Sequence, residues 1–167
     1  GLAMRKIGET AVVEVAAFTL EGKSRQNLRT AVTRAERERA VFEVLPPGSA
    51  SPLAEQLKAV SDAWLAGHNG EEKSFSLGRF DLAYLDLTPL AVVRQTTEGE
   101  PGPGRIVAFA NLMPGAGPDR EVAIDLMRYS PQSPHGIMDY LFIRTIQWAG
   151  AEGYAHFDLG MAPLAGL

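Results

Sequence analysis

Apolar residues recur along this chain with two periods, and the switch between them lays out its elements. From Lys6 to Val15 the apolar part Ala11-Val-Val-Glu-Val15 has the character of a strand, and Gly22 breaks it. Leu28, Ala31, Val32 and Ala35 then fall at helical spacing, which predicts an amphipathic helix over Lys23–Arg39 with its basic side outward. Val41-Phe-Glu-Val-Leu45 is the next strand, ended by Pro46-Pro47-Gly48. Ser51 has the chemistry of an N-cap and Pro52 that of a first helical residue. Leu53, Leu57, Val60 and Trp64 line one face of the helix they open, and Gly67 stops it.

A long loop of mixed charge, His68 to Asp81, follows. Loops of this length in a compact domain often carry function. Three strands come next, Leu90–Gln95, Arg105–Leu112 and Glu121–Met127, joined by stretches rich in Gly and Pro that suit hairpins, so this part is an antiparallel meander. After Tyr129-Ser-Pro-Gln-Ser-Pro-His-Gly136 a helix carries Met138, Leu141, Phe142, Thr145 and Ile146 on one side, closed by Gly150 and Gly153. His156-Phe-Asp-Leu159 is a short last strand. The order predicts one α/β (α+β) domain over 1–167, a mixed central sheet with helices on both faces. A meander followed by a helix and a strand is also the order of the acyltransferase fold typified by the GCN5-related N-acetyltransferases, and fold alone does not give function.

One run breaks the apolar rule. In Glu121-Val-Ala-Ile-Asp125-Leu-Met-Arg128-Tyr129, Val122, Ile124 and Leu126 keep the period of a strand, yet Asp125 and Arg128 sit within or just past it. Burying an unpaired charge is costly. The pair is therefore either a structural ion pair or surface charge, or else a polar site at a strand end. In the second case Asp125 is a base or amine ligand and Arg128 an anion clamp. Residues three apart on a straight strand point to opposite faces, so joint action requires a bulge or a chain that leaves the sheet before Arg128.

Composition narrows the chemistry. The chain has 167 residues, 46% hydrophobic and 22% charged, enough for one core. No apolar run approaches the ~18 residues of a membrane span, and no secretory signal opens the sequence. There is no cysteine, which removes disulfides and thiol catalysis, and His68, His135 and His156 lack metal-ligand spacing, so no metal is expected. The net charge of −4 argues against a broadly basic nucleic-acid coat, but Lys23, Arg25, Arg29, Arg34, Arg37 and Arg39 make one segment locally basic. That segment is either a solvated helix face or a contact for nucleic acid or anionic lipid. Trp64 and Trp148 read as core aromatics, His135 as a loop histidine, and Met113, Met127, Met138 and Met161 as apolar filler.

Several phrases resemble the cytosolic catalytic domain of the bacterial aminoacyl-phosphatidylglycerol synthases, the multiple peptide resistance factor family. They are Gly78-Arg79-Phe80-Asp81, Ile106-Val-Ala-Phe-Ala-Asn-Leu112, Ile124-Asp-Leu-Met-Arg-Tyr129, Gly136-Ile-Met-Asp-Tyr-Leu-Phe142 and Leu159-Gly-Met-Ala-Pro-Leu-Ala-Gly-Leu167, with Asn27-Leu28-Arg29 also fitting. The similarity runs in order from about Lys6 to Leu167. It implies transfer of lysine or alanine from aminoacyl-tRNA to the glycerol hydroxyl of phosphatidylglycerol, which changes membrane lipid charge. It also implies a parent at the cytoplasmic face of the bacterial inner membrane, in which this chain is the second of two acetyltransferase-like folds behind a membrane domain. The residues the resemblance marks as catalytic are Asp125, Arg128, Lys73 and, less securely, Glu72. Arg79 and Tyr129, beside the matching motifs, are expected to bind substrate, as are Lys23, Arg25 and Arg29 of the basic segment through phosphates.

Two departures shape the alternatives. Where acetyltransferases of this fold keep a glycine-rich turn for the CoA pyrophosphate, this chain has Pro131 and Pro134, which supply no amide hydrogen. This favours a donor other than CoA, and no cofactor is expected. The family also continues past the residue matching Leu167 into a basic tail with a functional lysine, so the chain is expected to be a folded but inactive fragment. A CoA-dependent N-acyltransferase and a non-catalytic module for tRNA or anionic lipid are the competing functions.

Overall fold

The computed structural model describes residues 8–67, 79–99, 102–117 and 119–163. Its strands are β1 (Gly8–Glu14), β2 (Ala40–Leu45), β3 (Leu90–Gln95), β4 (Arg105–Pro114), β5 (Glu121–Tyr129) and β6 (His156–Pro163). The helices are α1 (Gln26–Arg37), α2 (Ala54–Gly67), a single turn α3 (Leu82–Leu85) and α4 (Ile137–Ala151). All strands join one sheet in the order β1-β6-β5-β4-β3-β2. Neighbours are antiparallel except β5 and β6, which α4 connects as a crossover, the connection that parallel strands require. Their pairing runs only from Glu121 and His156 to Ala123 and Asp158.

The sheet is covered on both faces, as expected. Val93, Val107, Val122 and Ile124 pack with Ala35 of α1 and with Leu141 and Ile146 of α4. Leu90, Val92, Phe109 and Leu126 pack with Leu57 and Val60 of α2 and Leu85 of α3 on the other side. Because both faces are sealed, β3 and β4 are almost continuously apolar instead of alternating.

Local details differ from the periodic pattern. The first strand ends at Glu14, and Val15–Ala17 turn as a 3-10 helix; Lys23–Arg25 form another before α1. Ser51 does not cap α2. It lies in a 3-10 turn, Ser51–Leu53, and its hydroxyl donates to Asp86, whose Oδ1 also accepts the Ala50 and Ser51 amides at 2.8 and 3.0 Å. A carboxylate two elements away serves those amides because it arrives ionised and fixed; the Ser51 hydrogen bonds hold its pKa below the usual carboxylate value. Gly150 does not end α4 but lies inside it, and a β-carbon there would come 3.1 Å from Val15 Cγ1. It is a close-approach glycine, not a stop.

Candidate active site

The site is built on an irregularity in β5. Ala110 pairs with Met127 and Leu112 with Ile124, so the single residue Asn111 on β4 stands opposite both Asp125 and Leu126. This is a bulge, with one extra residue on β5. Its effect on facing is visible in the packing. Ile124, before the bulge, belongs to the α1/α4 core, and Leu126, two residues later, belongs to the α2/α3 core. Met127 and Tyr129 return to the first face, while Arg128 stacks on α2. The bulge thus turns Asp125 and Arg128, three apart, onto the same side of the sheet.

The half-buried Asp125 accepts a hydrogen bond from the Tyr84 hydroxyl, 3.0 Å from Oδ2. That hydroxyl also lies 3.3 Å from Met113 Sδ. Burial, and then the bond to Asp125, pushes the Tyr84 pKa above its ordinary value, so the phenol stays a donor. Asn111 is wholly buried, and its Oδ1 accepts the Leu126 amide at 2.7 Å. A bulge leaves a ladder amide without its strand partner, and the Asn111 side chain takes that place. The Arg128 guanidinium lies 4.1 Å from the Trp64 ring centroid and donates to the Met127 carbonyl at 2.9 Å. Trp64 is therefore more than core filler, because it forms the flat seat of a nearly buried arginine.

Arg79 reaches this cluster indirectly. It pairs with Asp81 at 2.7 Å, and Asp81 caps α3 by accepting the Tyr84 amide at 3.2 Å. The Tyr84 amide first, and Arg79 second, hold the Asp81 carboxyl below its ordinary pKa. The other residues expected at the site lie elsewhere. Tyr129 packs on the α1/α4 face and lines a cavity of about 380 Å³ with Pro131, Pro134 and His135. Lys23 and Arg25 are exposed in the turn before α1, and Arg29 donates to the carbonyls of Leu20 and Gly22. His135 is not a plain loop residue; its Nδ1 lies 3.0 Å from Arg34 Nη1. Lys73 and Glu72 fall outside the described residues.

Asn111, Tyr84 and Met113 are not marked by the sequence as site residues. Asn111 carries a usable signal, since it interrupts the apolar run of β4 as Asp125 interrupts that of β5. Tyr84 carries a weaker one, three residues after a possible N-cap aspartate.

Several amides of the loop after β5 are turned back onto the protein. The Ser130 amide donates to Val107, those of Gln132 and Ser133 donate back to Ser130, and Pro131 and Pro134 have none. Among the described residues, no cluster of His, Cys, Asp and Glu could hold a metal ion, and no helix is long and apolar enough to cross a membrane.

Known proteins are similar to this chain in sequence and fold. Residues 1–167 match the family described as phosphatidylglycerol lysyltransferase, C-terminal. A phosphatidylglycerol lysyltransferase of Bacillus subtilis is 47% identical over 160 residues, 96% of this chain and 18% of that protein. One from Staphylococcus epidermidis is 32% identical over the same shares of each chain. The solved structure of L-PGS from Bacillus licheniformis is 44% identical with a TM-score of 0.82, covering 96% of this chain and 48% of that one. The C-terminal domain of a putative lysylphosphatidylglycerol synthetase from Agrobacterium fabrum is 42% identical with a TM-score of 0.80, covering 95% of this chain and 48% of that one. A GCN5-related glucosamine N-acetyltransferase region, 12% identical with a TM-score of 0.57 over 95% of this chain and 18% of that one, shares the fold alone. The chain therefore spans less than a fifth of the curated relatives it matches, and it belongs to the family of phosphatidylglycerol lysyltransferase C-terminal segments.

Proposed function

We propose that this chain is the second acetyltransferase-like fold of a longer membrane enzyme that transfers lysine from aminoacyl-tRNA to phosphatidylglycerol at the cytoplasmic face. The observation that carries the reading is the bulge, which brings Asp125 and Arg128 to the same side of the sheet. Acyl exchange needs a group to take the attacking hydroxyl proton and positive charge to hold an anionic substrate. In this reading Asp125 accepts the proton of the glycerol hydroxyl as its oxygen attacks the ester carbonyl. The C–O bond to the tRNA 3′ oxygen breaks as the new ester bond forms, and that oxygen takes the proton Asp125 had accepted, which returns Asp125 to its carboxylate. Arg128, held flat on Trp64, binds the lipid phosphate, which lies a short glycerol chain from that hydroxyl.

The donor tRNA is assigned to the basic surface around Lys23 and Arg25, with Arg29 bracing the turn that carries them through its bonds to Leu20 and Gly22. Tyr129 borders the cavity on that same side of the sheet. Lys73 and Glu72, between α2 and α3 in sequence, remain assigned to the catalytic centre by resemblance. The loop amides consumed around Ser130 favour this donor over CoA.

The test is a lipid aminoacylation assay with full-length protein, lysyl-tRNA and phosphatidylglycerol vesicles. The wild type should form lysyl-phosphatidylglycerol, and Asp125→Asn should lower kcat by about a hundredfold or more. An Asp125→Asn protein with wild-type turnover would remove Asp125 from the chemistry, and acetyl transfer from acetyl-CoA in place of lysine transfer would overturn the reading.

A further inference from the structure

We propose that Tyr84 is the positioning residue of Asp125, anchored through Asp81 and Arg79, and that Asn111 holds the bulge on which that pairing depends. The inference rests on the catalytic reading of Asp125 given above.

A carboxylate on a strand turns easily about its last torsion, which has a broad twofold profile. Only one orientation presents a chosen oxygen to a substrate. Here the Tyr84 hydroxyl holds Oδ2 at 3.0 Å, leaving Oδ1 for the reacting hydroxyl. Tyr84 is itself held on both sides. Its amide is tied to Asp81, the cap of α3, and its neighbour Leu85 is wholly buried in the α2/α3 core. Arg79 pairs with the second oxygen of Asp81. Arg79 therefore acts through the chain Arg79–Asp81–Tyr84–Asp125. From the strand side, Asn111 satisfies the Leu126 amide, without which the bulge would leave a buried donor unpaired. Both devices act on one carboxylate, one from a helix turn and one from the sheet. The raised Tyr84 pKa keeps the phenol protonated as the donor.

The test compares Tyr84→Phe, Arg79→Gln, Asp125→Asn and Tyr84→Phe/Asp125→Asn in the full-length protein, with lysyl-tRNA and phosphatidylglycerol vesicles. Removing the hydroxyl keeps the ring and its packing. We expect kcat to fall about tenfold or more in Tyr84→Phe, with KM for the lipid within about twofold and the thermal midpoint unmoved. Arg79→Gln should shift the same parameter less. In the Asp125→Asn background, adding Tyr84→Phe should change nothing further. The inference is overturned if Tyr84→Phe keeps wild-type kcat while Asp125→Asn loses it. It is equally overturned if the two losses multiply, or if the fall in Tyr84→Phe follows a lowered midpoint. Full activity in Asp125→Asn would instead sink the catalytic reading, a separate outcome.

Discussion

On the α2/α3 side of β5, an aspartate, an arginine and a buried asparagine lie among Leu126, Phe109 and Leu57. On the α1/α4 side, Val122 and Ile124 meet Leu141 and Ile146, and the charges stay on the outer surface of α1. The first face has polar groups inside it and uses bulge, cap and stacking interactions to hold them. The second keeps most of its charged groups near water, where they cost little, and its buried Thr145 hydroxyl is satisfied within α4 by the Leu141 carbonyl. Such an arrangement suits chemistry on the first face and long-range attraction on the second.

The largest expected effect falls on the first face. Arg128→Ala removes both the anion-binding charge and the Trp64 stack, and turnover in the lipid assay should fall about a hundredfold or more. Its stability cost should be smaller, about 0.5–2 kcal/mol for the missing stacking, read from urea unfolding. If it unfolds the protein outright, the arginine is structural and the site reading loses its second member. Asn111→Leu should come next. The shape is retained while the Leu126 amide loses its acceptor, so a loss of about 1–3 kcal/mol is expected, with faster exchange of that amide proton by NMR. A stable Asn111→Leu protein with a protected Leu126 amide would mean that the bulge holds itself.

Changes on the second face should be gentler. Lys23→Ala with Arg25→Ala should weaken tRNA binding only several-fold, and should lower the salt dependence of binding by roughly one unit of slope for each phosphate no longer neutralised. An unchanged slope would move the tRNA-binding surface elsewhere. The smallest effect is alkaline. Tyr84 has a folded-state pKa above its ordinary value of 10.0, chiefly because burial disfavours the phenolate, so its ionisation weakens the fold only as pH rises above 10 and through the higher folded value. Tyr84→Phe should flatten that part of the pH–stability curve, followed by phenolate absorbance.

Much of this architecture is legible in the sequence because it is periodic. Leu90–Gln95 is the bound of β3 both in pattern and in structure. The run Val122, Ile124, Leu126 alternates without a break, and for that reason it hides the bulge. Both faces of β5 meet apolar layers, so Leu126 stays apolar after changing sides, and no residue reports the change except Asn111 on the neighbouring strand. The single turn α3 is too short to show helical period, which conceals Tyr84. Asp125 and Arg128 are visible because charge in a strand must be accounted for. Their common face is not, since register belongs to the pairing with β4. The arginines of α1 are visible as a cluster, yet their individual tasks are not. Arg29 braces a turn, Arg34 meets His135 across 101 residues of sequence, and Arg39 pairs with Glu98 at 2.8 Å.

The central claim is that the bulge makes Asp125 and Arg128 one site. A double-mutant cycle on turnover tests it most directly, with Asp125→Asn, Arg128→Lys and the two combined in full-length protein acting on lysyl-tRNA and phosphatidylglycerol vesicles. Residues that act as a unit are strongly non-additive, so the combined variant should be about as slow as the slower single variant. Losses that simply multiply would contradict the claim, because two residues on opposite faces of a straight strand would act independently.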